Sequence, residues 1–150
     1  GKSYINKDGA SVKITTDDVK EYYFRKDKTP FESKILPNGK PDFLAALERG
    51  SINLYEMIIS NTYGGGPMGV VTTSSTRFFY AQKAKTDSLY LIKSTALINK
   101  NTPKERRAIF DQLISDDKAV HESFKAKDSF SFDEIRKTVK AYNELHPISL

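Results

Sequence analysis

The chain has 150 residues, the usual size of one domain, and 38% of them are hydrophobic, which is enough for a core and argues against disorder. Cysteine is absent, which excludes disulfides, thiol chemistry and sulfur-ligated zinc, and no apolar run approaches the ~20 residues of a transmembrane helix. The formal net charge is +5, with both signs interspersed as on a solvated surface. We therefore expect a single domain spanning residues 1–150, without a transmembrane segment.

The first strands are predicted around a hairpin turn. Short alternating runs at residues 4–5 and 12–14 flank Asp8-Gly9, and this is a strong hairpin signal because glycine adopts a positive φ without steric cost. Two more strands follow, at residues 19–24 and 32–36.

The middle of the chain reads as two further hairpins. Residues 43–47 and 52–59 form the first, and residues 77–82 and 88–93 form the second. Both faces of the strand at 52–59 are apolar, which predicts a strand covered on both sides. Residues 61–76 are predicted to form a long connection, and such loops are usually functional or disordered.

The last third of the chain has the signals of helices. Thr102 with Glu105, and Ser131 with Glu134, have the spacing of capping boxes, in which each side chain satisfies a backbone N–H of the first turn. A shorter helix is predicted between these two. The fold class is therefore α+β: an antiparallel β meander of about six to eight strands over residues 3–98, followed by two or three C-terminal helices packed on the sheet.

A glycine cluster stands out within the predicted connection. A phosphate-binding loop needs a helix directly after it and a lysine, whereas the β-prone residues 70–75 follow here. We interpret the cluster as a flexible or functional loop and not as a phosphate site. Its members are Gly64, Gly65, Gly66, Pro67, Met68 and Gly69.

The sequence contains no recognisable motif of a catalytic or metal-binding site. The chain has two histidines, His121 and His146, and neither has a carboxylate at the spacing of a zinc-binding helix. Adjacent acidic residues occur where turns and helix N-termini use them as caps. No serine lies in a nucleophile motif. We expect no enzymatic activity, no metal ion and no cofactor.

Basic residues are concentrated in the helical third. Clustered Lys and Arg can bind polyanions, but they are also good helix formers on a solvated face. Binding of anions or nucleic acid is therefore kept as an alternative, although nucleic acid is not the expected partner. The candidate basic patch consists of Lys104, Arg106, Arg107, Arg136, Lys137 and Lys140.

Several short motifs follow one another along the chain in a characteristic order. They are Ser3-Tyr4-Ile5, Tyr22-Tyr23-Phe24, Gly50-Ser51-Ile52-Asn53-Leu54-Tyr55, Arg77-Phe78-Phe79-Tyr80 and the late Tyr142-Asn143. This order resembles a family of uncharacterised exported domains of Bacteroidetes-type bacteria, some of which precede an outer-membrane β-barrel. The resemblance implies a periplasmic, outer-membrane-associated or secreted location after removal of a signal peptide, and Gly1 is then interpreted as a tag remnant. It implies no catalytic residues.

The leading hypothesis is a non-enzymatic interaction domain of the cell envelope. Antiparallel sheets often leave a face or an edge free, and a peptide or another envelope protein can add there. The alternatives are an anion or nucleic-acid binder that uses the basic patch, and an enzyme whose site is assembled from scattered residues.

Overall fold

The structure is a computed structural model of the chain, and it describes residues 3–24, 26, 28–64 and 71–148, with side chains described from residue 8 onward. Within these residues, eight strands precede three helices. The strands are β1 Ser3–Lys7, β2 Ala10–Ile14, β3 Glu21–Tyr23, β4 Pro30–Ile35, β5 Pro41–Glu48, β6 Ile52–Gly64, β7 Val71–Lys83 and β8 Tyr90–Ser94. The helices are α1 Pro103–Ile114, α2 Lys118–Lys125 and α3 Phe132–Leu145.

The strands form a meander preceded by a separate hairpin. Strands β1 and β2 pair with each other, and β3 to β8 form a six-stranded antiparallel sheet in sequence order. The β1–β2 turn has positive φ at Asp8 (52°) and Gly9 (81°), as a type I′ turn requires. The predicted α+β meander with C-terminal helices is confirmed.

The helices begin where their caps predict. The Thr102 side chain accepts a hydrogen bond from the Glu105 backbone N–H, and the Glu105 carboxylate accepts one from the Thr102 N–H, so the capping box is complete. Ser131 Oγ accepts from the Glu134 N–H at 3.1 Å and starts α3, but the capping box predicted here is only half formed because the Glu134 carboxylate pairs with Lys127. None of the helices in the described ranges is both long enough and apolar enough to cross a bilayer.

The predicted long connection over residues 61–76 is wrong. Strand β6 continues to Gly64 and β7 begins at Val71, and the two pair without a register shift along their whole length. The reason lies in the Ser- and Thr-rich run, which looks like a loop by polarity although β-branched residues favour strands. We call residues 58–64 and 71–77 the β arm. Of the glycine cluster, residues 65–69 lie outside the described part.

Two apolar clusters pack on the two faces of the sheet. On one face, Ile52, Leu54 and Phe79 contact the three helices. On the other, Tyr55 and Tyr80 form a second cluster. The prediction that β6 is covered on both sides is confirmed for its first residues. It is wrong for Ile58 and Ile59, which are 56% and 43% exposed because they belong to the β arm.

The sheet is strongly curved. Leu36, at the end of β4, and Leu89, before β8, belong to the same apolar cluster and line the same cavity of about 410 Å³. In a flat sheet, β4 and β8 would lie about 19 Å apart, since neighbouring strands are spaced at about 4.8 Å. The curvature brings the two ends of this face together, and Ile109 of α1 also lines the cavity beside the second cluster.

Candidate functional site

The candidate site begins where two neighbouring strands of the sheet separate. Strands β5 and β6 are paired at Ala45 with Glu56 and at Ala46 with Tyr55, but the ladder does not continue toward the start of β5. There β5 stays paired with β4, for example at Phe43 with Ser33. Strand β6 instead runs on with β7 into the β arm. The sheet therefore forks.

A cleft of about 440 Å³ fills the fork, and this volume lies within the range of ligand pockets. Residues 56–60 of β6 form one wall, and Phe43 and Ala45 of β5 form the other. Tyr22 and Phe31 extend the cleft across β3 and β4. We call this space the fork cleft.

The backbone of β6 presents free hydrogen-bonding groups to the fork cleft. The Ala84 N–H donates to the Ser51 carbonyl at 3.0 Å, which places the odd-numbered backbone groups of β6 toward β7. The even-numbered ones therefore point away from β7. Past the Ala45–Glu56 pair, Ile58, Ser60 and Thr62 direct their N–H and C=O groups to a side where the described residues supply no further strand.

Aromatic rings form a wall beside this edge. Tyr22 stacks on Phe31 with ring centroids 5.1 Å apart and meets Phe43 edge to face at 4.9 Å. Phe24, which is exposed, lies edge to face against Phe31 at 5.8 Å. Phe31 and Phe43 share the sheet face of Ala45 and Glu56, through the cross-strand pairs that connect them. The rings thus offer an apolar surface to alternate side chains of a bound segment.

The two carboxylates that line the fork cleft, Glu56 and Asp42, differ in whether a described Lys or Arg pairs with them. Glu56 forms an ion pair with Arg77, whose guanidinium also lies over the Phe132 ring, 4.6 Å from its centroid. Asp42 accepts a hydrogen bond from the Phe43 N–H at 2.8 Å, and no Lys or Arg of the described residues forms an ion pair with it. Among the described residues, Asp42 is therefore the carboxylate of the fork cleft whose charge is not compensated by a cation.

A polar network lies on the opposite face of the same strands. Glu32 accepts hydrogen bonds from Tyr55 Oη at 3.0 Å and from Arg49 Nε at 2.9 Å, and it forms an ion pair with Lys34 at 3.0 Å. Burial alone would raise the pKa of Glu32, but these partners hold that pKa below its ordinary value. Burial, together with the charge of Asp42, raises the pKa of Tyr80 to about 12. The charges of Glu32, Lys34 and Arg49 thus compensate one another, and the hydrogen bond from Tyr55 to Glu32 ties β4 to β6.

The two histidines each pair with one carboxylate. His121 Nε2 lies 2.8 Å from Asp111 Oδ1, and His146 Nε2 lies 2.8 Å from Asp117 Oδ2. The described part of the chain holds no group of three or more His, Asp or Glu side chains that could bind a metal ion. These pairs connect α1 with α2, and the end of α3 with the cap of α2. Sequence reasoning missed both, since the partners meet only in the fold.

The structure divides the candidate basic patch between α1 and α3. Arg106 is 4% exposed, and its Nη1 donates to the Asn101 carbonyl at 2.5 Å. On α3, Arg136 and Lys140 both form ion pairs with Glu48. These three cations therefore have contacts within the protein. The other members are Lys104 and Lys137, which are exposed, and Arg107, which donates to the Lys127 carbonyl.

Comparison with protein-family models, with curated proteins and with solved structures finds no match to this chain. The resemblance to exported domains therefore stays a prediction. The fork cleft could not be found from the sequence, because it arises where β5 and β6 diverge, and no local pattern marks that divergence.

Proposed function

We propose that this domain binds an extended peptide segment of another protein, which adds as a strand to the β6 edge in the fork cleft. The observation that carries the proposal is the row of outward-facing backbone groups at Ile58, Ser60 and Thr62, beside a wall of aromatic rings. Free strand edges pair readily with other chains, and strand addition of this kind is a common mode of peptide recognition.

The geometry favours a peptide over a compact small molecule. The alternating N–H and C=O groups of an edge strand are matched by another extended backbone, which can satisfy them in succession. The fork cleft opens onto the edge of the β arm, so the bound segment can extend past the cleft along Ser60 and Thr62. Main-chain hydrogen bonds then supply affinity, and the side-chain surfaces supply specificity.

The residues that line the cleft also favour particular types of side chain on the peptide. Successive residues of a strand point to opposite faces, so alternate residues of the peptide contact the Tyr22–Phe31–Phe43 wall, and a large apolar side chain fits there. Among the described residues Asp42 has no Lys or Arg partner, so a Lys or Arg on the peptide compensates its charge. The preferred ligand is an extended segment that combines an apolar or aromatic residue with a basic one.

This proposal makes the hypothesis of a non-enzymatic interaction domain specific, because it names the binding surface and the kind of ligand. What supports it is the open edge beside an apolar wall, together with ion pairs that occupy most of the other charged groups described above. Location in the cell envelope remains part of the proposal. It rests on the resemblance in sequence alone.

The test uses two matched proline variants. Ser60 and Ser75 are cross-strand partners in the β arm, and their hydroxyl oxygens lie 3.1 Å apart. The Ser60 N–H faces the fork side, whereas the Ser75 N–H faces the other edge of the arm, because the Thr95 N–H binds the outward-facing Arg77 carbonyl on that edge. Proline removes one outward N–H in each case and leaves the β6–β7 ladder intact.

Peptides selected from an immobilised library of random extended octamers serve as probes, and titration calorimetry measures their affinity. We expect Ser60→Pro to weaken binding about tenfold or more, the equivalent of one lost main-chain hydrogen bond with its desolvation cost, and Ser75→Pro to leave it unchanged. Equal effects of the two variants would contradict strand addition at this edge. So would a library in which no selected peptide slows hydrogen exchange at the Ile58 and Thr62 amides.

A further inference from the structure

A second surface, remote in sequence from the fork cleft, presents bare apolar side chains. The loop between β8 and α1 spans residues 95–102 and contains Leu97, which is fully exposed, and Ile98, which is 92% exposed. These are the most exposed large hydrophobic residues of the described chain. A single exposed leucine is ordinary, but two adjacent and wholly bare aliphatic side chains are costly to keep in water.

The loop is held in place at both ends. On the β8 side, the Thr95 N–H donates to the Arg77 carbonyl at 3.0 Å, and Asn99 Nδ2 donates to the Ala96 carbonyl at 2.8 Å. On the α1 side, the buried Arg106 binds the Asn101 carbonyl. The exposure of Leu97 and Ile98 therefore belongs to a tethered turn, which fixes the direction in which they project.

The surroundings of the loop are cationic. Lys93, Lys100 and Lys104 flank it in the chain, and within the described residues they form no ion pair with a carboxylate, although most other charged side chains near the helices do. The only acidic residue between 93 and 110 is Glu105, whose carboxylate is engaged in the capping box of α1. Lys93 is half-buried with its Nζ over the Phe130 and Phe132 rings, so Lys100 and Lys104 are the exposed cations that follow Leu97 and Ile98, the apolar tip of the loop.

We propose that the β8–α1 loop docks this domain on an anionic phospholipid surface, with Leu97 and Ile98 inserted at the boundary between headgroups and acyl chains. Apolar side chains with neighbouring lysines are the combination by which peripheral segments bind membrane interfaces, since burial of the tip and attraction to anionic lipid act together. A protein pocket for the same tip would need acidic groups at its rim. Lipid supplies a continuous negative surface without such a match.

This inference is independent of the peptide-binding proposal. The described lining of the fork cleft comes from β3 to β6, and it includes no residue of the loop at 95–102. Docking through the loop therefore leaves the β6 edge accessible, and a domain held at a membrane surface can still add a peptide strand.

Co-sedimentation with vesicles tests the proposal. Vesicles of phosphatidylcholine containing phosphatidylglycerol are compared with phosphatidylcholine alone, at low and at moderate salt. We expect binding to the anionic vesicles that salt weakens. The double variant Leu97→Ser with Ile98→Ser is expected to lose about tenfold or more in partition coefficient, from the transfer free energy of two aliphatic side chains. The control, Ile35→Ser with Val71→Ser, alters exposed apolar residues elsewhere and keeps full binding.

A second measurement reports the position of the tip. The chain has no cysteine, so Leu97→Cys accepts one environment-sensitive fluorophore at a unique site, and a blue shift with anionic vesicles is expected. Asp87→Cys, in the turn before β8, serves as the unshifted control. Lys100→Gln with Lys104→Gln is expected to weaken binding to anionic vesicles by roughly fivefold per lysine.

Three results would overturn membrane docking. They are absence of vesicle binding at low salt, equal binding by the Leu97→Ser, Ile98→Ser double variant, and equal binding to vesicles with and without phosphatidylglycerol. A concentration-dependent dimer that only the same double variant abolishes, without vesicle binding, would assign the tip to a second copy of the chain instead.

Discussion

The carboxamide of Asn143 on α3 pairs with the backbone of Ile52 as a neighbouring strand would. Its Oδ1 accepts from the Ile52 N–H at 2.8 Å, and its Nδ2 donates to the Ile52 carbonyl at 2.8 Å. Ile52 is an even-numbered residue of β6, so these groups face away from β7. The Asn143 side chain therefore provides hydrogen-bond partners for the backbone at the start of β6. At the other end, beyond the fork, the outward-facing backbone groups of Ser60 and its neighbours have no partner strand among the described residues.

The first prediction concerns this side chain. In Asn143→Ala, a buried donor and a buried acceptor of Ile52 lose their partner, and each unsatisfied group costs roughly 1–3 kcal/mol. We expect the free energy of unfolding to fall by about 2–4 kcal/mol in urea titrations. The matched control is Asn61→Ala on the exposed β arm, where the expected change is within about 0.5 kcal/mol. Equal effects at the two positions would contradict the role given to Asn143.

The second prediction follows from Gly50. A Cβ atom at this position would lie 2.4 Å from Asn143 Cγ, so Gly50→Ala must displace the carboxamide from Ile52. We expect Gly50→Ala to destabilise the wild-type chain by about as much as Asn143→Ala does, roughly 2–4 kcal/mol. In the Asn143→Ala background the cost of Gly50→Ala should largely disappear. A double-mutant cycle measures this coupling, and simple additivity of the two costs would show that the two residues act separately.

Features specified by neighbouring residues could be predicted from the sequence. The Asp8-Gly9 turn and the starts of α1 at Thr102 and of α3 at Ser131 each depend on a few adjacent residues whose chemistry fits one backbone conformation. The apolar periodicity placed most strands. The β arm was missed because its polarity resembled a loop, and polarity distinguishes buried from exposed residues more reliably than strand from coil.

Features that depend on distant residues could not be predicted. Asn143 and Ile52 are 91 positions apart, and Tyr142-Asn143 stood out only as part of a family-like pattern. The fork cleft depends on where β5 leaves β6, and the last pair before they separate, Ala45 with Glu56, joins residues on two different strands. Arg106 looked like a surface cation in the sequence, yet its position on α1 turns it toward the interior, where it ties down the β8–α1 loop.

The third prediction concerns acid stability and Glu32. Its pKa in the folded chain lies below the ordinary value of 4.5 because Lys34, Tyr55 and Arg49 favour the ionised form more than burial opposes it. A lowered folded pKa means that the network stabilises the fold above about pH 4.5 and that this contribution is lost as the pH falls through the folded pKa. The destabilisation caused by Glu32→Gln is therefore expected to be largest near neutral pH and to shrink in acid.

Urea titrations of the wild type and of Glu32→Gln across this pH range check the prediction. Glu122→Gln is the control, because Glu122 is exposed and its one ion pair with a described residue is a long contact of 3.8 Å with Lys118. Its stability curve should stay parallel to that of the wild type. If Glu32→Gln also gave a parallel curve, the ionised form of Glu32 would contribute nothing specific to the fold.

The fourth prediction isolates one hydroxyl group at the junction of β7, α3 and the α1–α2 turn. Tyr142 Oη donates to Asp116 at 2.9 Å and accepts from Lys83 Nζ at 2.7 Å, while its ring stacks on His146 at 4.5 Å. Tyr142→Phe keeps the ring and removes both hydrogen bonds. Because Asp116 is largely exposed, water replaces part of what is lost, and we expect a decrease of about 0.5–1.5 kcal/mol in the free energy of unfolding.

The same substitution at Tyr90, an exposed tyrosine of β8, should leave the unfolding midpoint unchanged. The comparison separates two explanations of why α3 docks on the sheet. If Tyr142→Phe had no effect while Asn143→Ala was destabilising, the docking would depend on the Ile52 backbone pairing and on apolar burial alone. If both were destabilising and their costs added, two adjacent residues of α3 would anchor it independently, Tyr142 through Lys83 of β7 and Asn143 through Ile52 of β6.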